Sequence, residues 1–140
     1  MAQMSAERIV EFLAPPRHAI IATNREDGPP QLTPVWYIYE EGRMYISAGA
    51  DTIKVRNLRR DPQVTICVDG GHPDTRYVVF QGVVTIVEPN APRQEEFRWR
   101  IIQHYYEDEA DARRYYDSLQ DSPSVLLVLE PDKIINQDFN

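Results

Sequence analysis

Residues 46–62 place a hydroxyl group and a cation where a helix is predicted to begin. A strand is expected to end near Ser47, and Asp51 is the predicted N-cap of a helix that stops before the next proline. Thr52 and Lys54 would lie in the first helical turn, where backbone N–H groups lack partners and the helix dipole is positive. A phosphate is the group that such a turn binds most readily.

The charge around this turn is opposite in sign to that of the whole chain. The 140 residues carry a formal net charge of −7, yet Lys54 is followed closely by Arg56, Arg59 and Arg60. A solvated amphipathic helix would show the same run of charges, with an apolar face made of Ile53, Val55 and Leu58. The helix alone therefore leaves two interpretations open, an anion site and a solvent-exposed surface helix.

A second candidate segment, residues 31–37, has a proline within a predicted strand. Pro34 donates no backbone hydrogen bond, so it belongs at a sheet edge or a bulge. Free backbone groups at such an edge could bond the alternating donors and acceptors of a flat heterocycle, and Trp36 offers a stacking surface. The alternative is that Pro34 only protects a sheet edge from aggregation.

Composition narrows the class of protein. A hydrophobic content of 42% and a charged content of 26% are ordinary for a folded globular protein, and the length predicts one domain over residues 1–140. The acidic balance argues against a nucleic-acid binder. The sequence shows neither a signal pattern nor a membrane-spanning run, so no membrane partner is expected. Its single cysteine cannot form an internal disulfide, which favours a cytoplasmic protein.

No known catalytic signature occurs in the sequence, so no catalytic residue is assigned. The three histidines, His18, His72 and His104, fall in different elements, and no metal site is predicted from them. Cys67, the single cysteine, lies in an apolar strand-like run and is interpreted as a small core residue. Two pairs of tyrosines are expected to pack the long helical region against the barrel or a partner: Tyr105, Tyr106, Tyr115 and Tyr116.

Hydrophobic periodicity predicts six strands and three helical regions. The helices cover residues 5–13, capped by Ser5, the segment after Asp51, and residues 92–119 with a break near 107–111. This pattern predicts a mainly β (α+β) fold, a six-stranded antiparallel barrel, closed or half-open, with flanking helices. The strands are expected at residues 18–24, 31–39, 43–49, 64–68, 77–88 and 124–130.

Three strand features carry further expectations. The two hairpins that precede residue 49 predict an antiparallel meander. Gly82 lies in the middle of the fifth strand, which predicts a bulge or a barrel corner there. The last strand is apolar on both faces, so it needs cover from the long helix or from a partner subunit.

Three motifs, taken in order, resemble the split-barrel flavin-binding superfamily named after pyridoxamine 5′-phosphate oxidase. Residues 54–62, Lys-Val-Arg-Asn-Leu-Arg-Arg-Asp-Pro, look like the Lys-x-Arg-Asn-Leu-x-x-Asp-Pro run of its small deazaflavin (coenzyme F420)-dependent branch. Residues 27–36 resemble the family's first hairpin, and Gln81-Gly82 with the β-branched run after it resembles the long strand. The resemblance covers about residues 8–130.

This resemblance implies a homodimer with two cofactor sites at the subunit interface. Residues around Lys54 would hold the cofactor phosphate, segment 33–36 would line the ring, and Tyr77 would reach the site from the partner chain. The family often has an arginine at the position of Thr52, and the arginines that follow Lys54 could compensate, particularly for the acidic tail of F420. The implied cofactor-binding residues are Thr33, Pro34, Val35, Trp36, Ser47, Thr52, Ile53, Lys54, Asn57 and Tyr77.

The predicted function is hydride transfer between F420, or alternatively FMN, and a small organic substrate. One alternative is a non-catalytic FMN-binding carrier or sensor. Another is a flavoprotein closer to pyridoxamine 5′-phosphate oxidase itself, although the C-terminal segment offers only Lys133 for a second phosphate. A cofactor-free barrel that acts as an interaction module is a third alternative, and the acidic balance makes nucleic acid a poor partner for it.

Overall fold

The computed structural model describes residues 2–139, which form four helices and eight strands. None of the helices within these residues has the length and apolar character of a membrane span. The helices are α1 (Ala6–Leu13), α2 (Ile53–Arg60), α3 (Pro92–Tyr105) and α4 (Glu109–Ser118). The strands are β1 (Ala19–Thr23), β2 (Gln31–Val35), β3 (Ile38–Glu40), β4 (Arg43–Gly49), β5 (Gln63–Asp69), β6 (Tyr77–Val87), β7 (Ser124–Leu129) and β8 (Lys133–Gln137).

The strands form one curled antiparallel sheet in the order β2-β1-β5-β6-β7-β4-β3, and β8 pairs with β6 beside this path. β2 and β3 are the two edges of the path, although only Trp36 and Tyr37 separate them in the chain. A chain that steps from one edge to the other within two residues must bring both edges together. The sheet therefore closes as a split barrel with its seam at these two residues.

The predicted split barrel is confirmed, whereas the predicted number of six strands is wrong. The predicted strand 31–39 is two strands, because pairing with β1 ends at Val35 and pairing with β4 begins at Ile38. The hairpins β1–β2 and β3–β4 therefore do not form the predicted meander. β8 was not predicted, because its only apolar residues, Ile134 and Ile135, are adjacent. They produce neither the alternating pattern of a half-buried strand nor the long apolar run of a buried one. The predicted break in the last helical region is confirmed between α3 and α4.

The barrel interior contains the main hydrophobic core. Alternate residues of β5 point inward, so Val64, Ile66 and Val68 are buried there. Cys67 lies between two of them and points to the outer face, where it is partly exposed. Its interpretation as a core residue is therefore wrong, because the alternation of the strand decides which face it occupies. At the N-terminus of α1, the predicted cap is confirmed, since Ser5 Oγ accepts a hydrogen bond from the helix.

β7 is buried on both faces, as its sequence predicts. Leu127 faces the barrel interior, whereas Leu126 and Val128 pack with Tyr45 against Phe97 of α3. The rings of Tyr45 and Phe97 stack with centroids 4.0 Å apart and planes 10° from parallel. The cover that β7 requires therefore comes from the long helix of the same chain.

Gly82 lies where β6 changes neighbours. β6 pairs with β8 up to Gln81 and with β7 from Val84 onward. A Cβ atom at Gly82 would lie 2.9 Å from Leu129 Cδ1 and 3.2 Å from the backbone nitrogen of Asp132. The barrel corner predicted at this glycine is confirmed, and the close approach of β7 and the following loop is what requires a residue without a side chain.

We expect Gly82→Ala to lower the free energy of unfolding by about 1–3 kcal/mol, because the added methyl group must displace packed atoms. Chemical denaturation followed by tryptophan fluorescence measures this change. Thr85→Ala, on the exposed side of the same strand, is the matched control and should cost less than half as much. If Gly82→Ala is as stable as the unmodified chain, the corner has room for a side chain.

Candidate functional site

A cavity of about 310 Å³ lies at the barrel seam. Its walls come from the end of β2, the outer side of β4, the start of α2 and the helical pair α3–α4. The structure thus brings together the proline-containing strand and the cationic start of the helix, which are distant in sequence. Five of the ten predicted cofactor-binding residues line this seam cavity: Pro34, Val35, Trp36, Ser47 and Lys54.

The start of α2 leaves backbone N–H groups available. Thr52 is the N-cap residue, with φ −74° and ψ 158°, and Asp51 lies one residue earlier, so the predicted cap is wrong. Thr52 Oγ1 donates a hydrogen bond to the carbonyl oxygen of Gly49 at 2.8 Å. Among the described residues, no capping side chain accepts a hydrogen bond from the first backbone N–H groups of α2. An anion would therefore meet unfilled donors without a competing carboxylate.

Lys54 is a half-buried cation without a counter-charge. Its side chain lines the seam cavity, and among residues 2–139 no group forms a hydrogen bond or an ion pair with it. Burial lowers the pKa of Lys54 below the ordinary lysine value. Because the burial disfavours the ammonium form, an anion bound beside Lys54 would recover the lost electrostatic stabilisation.

Trp36 forms an aromatic wall of the seam cavity. Its ring stacks on Tyr105, with centroids 4.7 Å apart and planes 7° from parallel, and contacts Tyr115 at 6.0 Å. The indole Nε1–H donates to His18 Nε2 at 3.3 Å. Tyr105 packs the helix against the barrel as expected, whereas Tyr115 lines the cavity itself, which the sequence did not indicate.

The hydroxyl group of Tyr105 forms hydrogen bonds with two backbone segments at the seam. It accepts a hydrogen bond from the backbone N–H of Tyr37 at 3.1 Å and donates to the carbonyl oxygen of Arg17. Burial raises the pKa of Tyr105 to about 12, so the hydroxyl stays protonated and remains a donor at neutral pH. The orientation of Trp36 is therefore set by a stacked neighbour that is itself held by two hydrogen bonds.

Three predicted residues of α2 and its cap lie away from the cavity lining. Thr52 is bonded to Gly49, and Ile53 is 54% exposed, so the apolar face of the amphipathic-helix alternative is buried only at Val55 and Leu58. Asn57 is buried instead, and its Nδ2 donates to Thr23 Oγ1 at 3.1 Å. Asn57 therefore links α2 to β1 inside the chain.

The remaining two predicted residues also lie outside the cavity lining of their own chain. Thr33 pairs with the fully buried Ile21 and so points inward, where its Oγ1 is buried without a hydrogen-bond partner. Tyr77 begins β6 opposite Asp69 and stacks with Phe139 at 6.3 Å.

The arginines that follow Lys54 differ in whether another residue of the chain already binds them. Arg59 binds both carboxylate oxygens of Glu88 at 2.8 Å, and Arg60 donates to the carbonyl oxygen of Asn24 at 2.6 Å. Arg56 is exposed, and no partner is found for it among residues 2–139. Of these three arginines, Arg56 alone is without a partner within residues 2–139.

Arg98 is a cavity-lining residue that the sequence analysis missed. It is 7% exposed, and its Nη2 donates to the carbonyl oxygens of Leu119 and Ser122 at 3.0 and 2.8 Å. A signal was present in the sequence, since Arg98 lies within the apolar stripe that Phe97 and Ile101 make along α3. A charged residue at a core-facing helix position is unusual unless it has a specific partner.

Comparison with known proteins agrees with this architecture. The family described as "Pyridoxamine 5′-phosphate oxidase" matches residues 5–138. A conserved hypothetical protein from Mycobacterium tuberculosis has a similar structure, with a TM-score of 0.76 and 28% identity over 96% of this chain and 85% of that one.

Two more distant structures are similar in fold alone. An F420 reductase has a TM-score of 0.68 and 22% identity, over 89% of this chain and 94% of that one. An FAD-binding protein from Mesorhizobium loti has a TM-score of 0.69 and 18% identity, over 96% and 93% of the two chains. Because the family match spans nearly all of the described residues and the sheet closes as a split barrel, the chain belongs to the pyridoxamine 5′-phosphate oxidase family.

Proposed function

We propose that the chain binds F420, or alternatively FMN, in the seam cavity and reduces a small organic substrate by hydride transfer. The observation that carries this proposal is the unpaired Lys54 at an uncapped helix start, in a cavity whose other wall is Trp36. Such a cavity offers an anion site and a stacking surface together. The cofactor supplies the hydride chemistry, and the protein supplies binding and orientation.

The residues present fit a phosphorylated planar cofactor. Lys54, the hydroxyl of Ser47 and the first N–H groups of α2 would hold the phosphate. β2 is an edge strand, so some of its backbone groups point away from β1 and would bond the edge of the ring. Pro34 and Val35 line the cavity on this side.

The lining of the cavity also limits the chemistry that the chain itself can perform. None of the lining residues, all within the described part of the chain, is a carboxylate or an imidazole. The chain's part in a reduction is therefore to orient the reactants and to exclude water with its apolar walls. The alternative of a non-catalytic FMN carrier predicts binding of FMN without turnover by any reductant.

F420 is favoured over FMN by the charge that lies outside the cavity. Arg56, without a partner among residues 2–139, follows Lys54 on the same short helix and is exposed. Such a cation suits an acidic tail that extends from a phosphate held at the helix start. FMN ends at its phosphate and would leave Arg56 unused.

We also propose that the chain forms a homodimer through the outer face of its sheet. The strand register aligns an apolar row across five strands: Pro34, Ile20, Cys67, Val79 and Ile135. Ile20 is 40% exposed, and the neighbouring Leu32 and Val83 are 62% and 52% exposed. A continuous apolar sheet face of this kind favours a second subunit as its cover.

Tyr77 supports this arrangement of subunits. It lies two residues from Val79 on the same face of β6 and outside the cavity lining of its own chain. A second copy packed on this face would carry Tyr77 toward the other subunit, as expected for a two-chain cofactor site.

Titration with F420 and FMN, followed by tryptophan fluorescence, tests the proposed cofactor. We expect quenching with F420 at lower concentration than with FMN, and Lys54→Ala should weaken binding by about ten- to a hundredfold, the effect of removing a charge-assisted hydrogen bond. Lys133→Ala removes the other lysine, which lies on β8, and serves as the matched control. Absence of binding by either cofactor, or unchanged affinity in Lys54→Ala, would contradict the proposed site.

Cofactor affinity should fall as the pH is raised toward and through the pKa of Lys54. A phosphate binds the protonated ammonium, so binding raises the pKa of Lys54, and deprotonation of the free protein opposes binding. Because burial already lowers this pKa below 10.5, the decline should begin at a lower pH than for an exposed lysine. Lys54→Arg should bind without this decline, and an identical pH profile in both proteins would show that Lys54 is not the titrating group.

Ile20→Lys should convert the proposed dimer to monomers in sedimentation experiments, because it introduces a charge into the apolar row. Ile20 is exposed in the single chain, so folding should be unaffected, as circular dichroism can verify. Val10→Lys, at a residue that is 53% exposed on α1, is the control and should remain dimeric. A monomeric unmodified chain would rule out the two-chain site.

A further inference from the structure

Arg98 is a buried cation in the wall of the seam cavity, only 7% exposed. It lies on α3 in the buried stripe that includes Ile101 and Ile102. A guanidinium at this depth loses much of its hydration, which is unfavourable unless hydrogen bonds or an anion compensate. The partners of Arg98 therefore indicate whether its role is complete within the chain.

Those partners satisfy only part of the guanidinium. Nη2 donates to the carbonyl oxygens of Leu119 and Ser122, and the ring of Tyr116 lies 5.9 Å away. Within residues 2–139, no carboxylate pairs with Arg98, and Nε and Nη1 have no hydrogen-bond partner. The single buried side-chain polar atom without a partner in this part of the chain is Thr33 Oγ1. Nε and Nη1 therefore keep access to open space, and the space beside Arg98 is the seam cavity.

The surroundings of Arg98 in the cavity are mostly apolar and aromatic. Ile101, Ile102 and Leu119 line one part, and the rings of Trp36 and Tyr115 line another. The hydroxyl of Ser124 already accepts a hydrogen bond from Gln94 at 2.8 Å. The free guanidinium donors are thus the main polar feature on this side of the cavity, among flat apolar walls.

We propose that Arg98 binds the carboxylate of a small planar apolar acid, such as an aromatic carboxylate, and that this is the substrate class of the site. The proposal rests on the proposed function, in which the cofactor phosphate occupies Lys54 and leaves Arg98 for the substrate. Both N–H groups of Nη2 are taken by the two carbonyl oxygens, so Nε or Nη1 would donate one charge-assisted hydrogen bond to a carboxylate oxygen. The apolar body of the acid would lie against the aromatic walls.

Benzoate and benzamide form a matched pair of probes, since they differ in charge and hardly in shape. Their dissociation constants are measured by ligand-observed NMR on the full chain, both free and loaded with F420 or FMN. The unmodified protein should bind benzoate at least about tenfold more tightly than benzamide. Arg98→Met should abolish this preference and leave the benzamide affinity within about twofold, whereas Arg98→Lys should retain part of it.

Arg100→Met is the control on the same helix. Arg100 pairs with Glu40 at 2.8 Å and is not part of the cavity lining, so its loss should leave the benzoate preference intact. An equal loss of benzoate and benzamide binding in Arg98→Met would show that Arg98 only holds the loop after α4, and would overturn the proposal. If Arg98→Met does not fold, the unmodified protein still tests the proposal. Equal affinities for benzoate and benzamide in that protein would contradict it.

Cofactor titrations separate this proposal from the proposed function. We expect Arg98→Met to bind F420 and FMN as the unmodified protein does, while Lys54→Ala does not. If Arg98→Met instead loses cofactor binding, or if benzoate displaces the cofactor, Arg98 serves the cofactor and the substrate proposal fails. If neither cofactor binds, the proposed function fails, and the benzoate preference of the free chain still decides whether Arg98 is an anion site.

Discussion

The architecture depends on one step of the backbone, from β2 to β3 across Trp36 and Tyr37. Tyr37 is fully buried; its hydroxyl donates to the carbonyl oxygen of Leu13 at the end of α1, and its N–H donates to Tyr105 at the end of α3. Two helices thus hold the short connection by one hydrogen bond each. Because the seam cavity lies beside this step, the same contacts that close the barrel also set the shape of the cavity.

The distribution of charge follows the same arrangement. The chain has 22 acidic and 15 basic residues, and most ion pairs lie outside the cavity, as Arg59–Glu88 and Arg100–Glu40 do. The residues that line the cavity include Lys54 and Arg98 and no carboxylate. Within residues 2–139, this acidic protein therefore places two partly desolvated cations without carboxylate partners in one cavity, where an anionic ligand would gain the most from them.

The parts of the fold that follow from local rules were predictable from the sequence. Pro34 indicates an edge strand, Gly82 a corner, and the unbroken apolar run of β7 a strand covered on both faces, because each depends on the sterics or burial of a few neighbouring residues. The resemblance carried the family assignment, which composition alone could not supply. Lys54 was recognised as a candidate anion-binding residue because it is a cation in the first turn of a helix in an otherwise acidic chain.

The parts that depend on tertiary packing were not predictable in this way. The break at Trp36 is invisible to periodicity, since the strand pattern continues across it while the pairing partner changes. The resemblance implied that Asn57 binds the cofactor phosphate. In the structure its side chain bonds Thr23 instead, and this contact depends on how α2 packs on β1. Arg98 lies in the cavity wall only because α3 covers the outer face of β4 and β7.

The position of β6 in the sheet has a consequence for the order of folding. β6 pairs with β5, β7 and β8, and two of these partners come from the last part of the chain. During synthesis, the ribosome must release residues beyond β7 before the curved sheet can close, and until then β6 has only β5 as a strand partner. Such late, long-range pairing slows folding and lengthens the period in which a nascent chain needs protection from association with others.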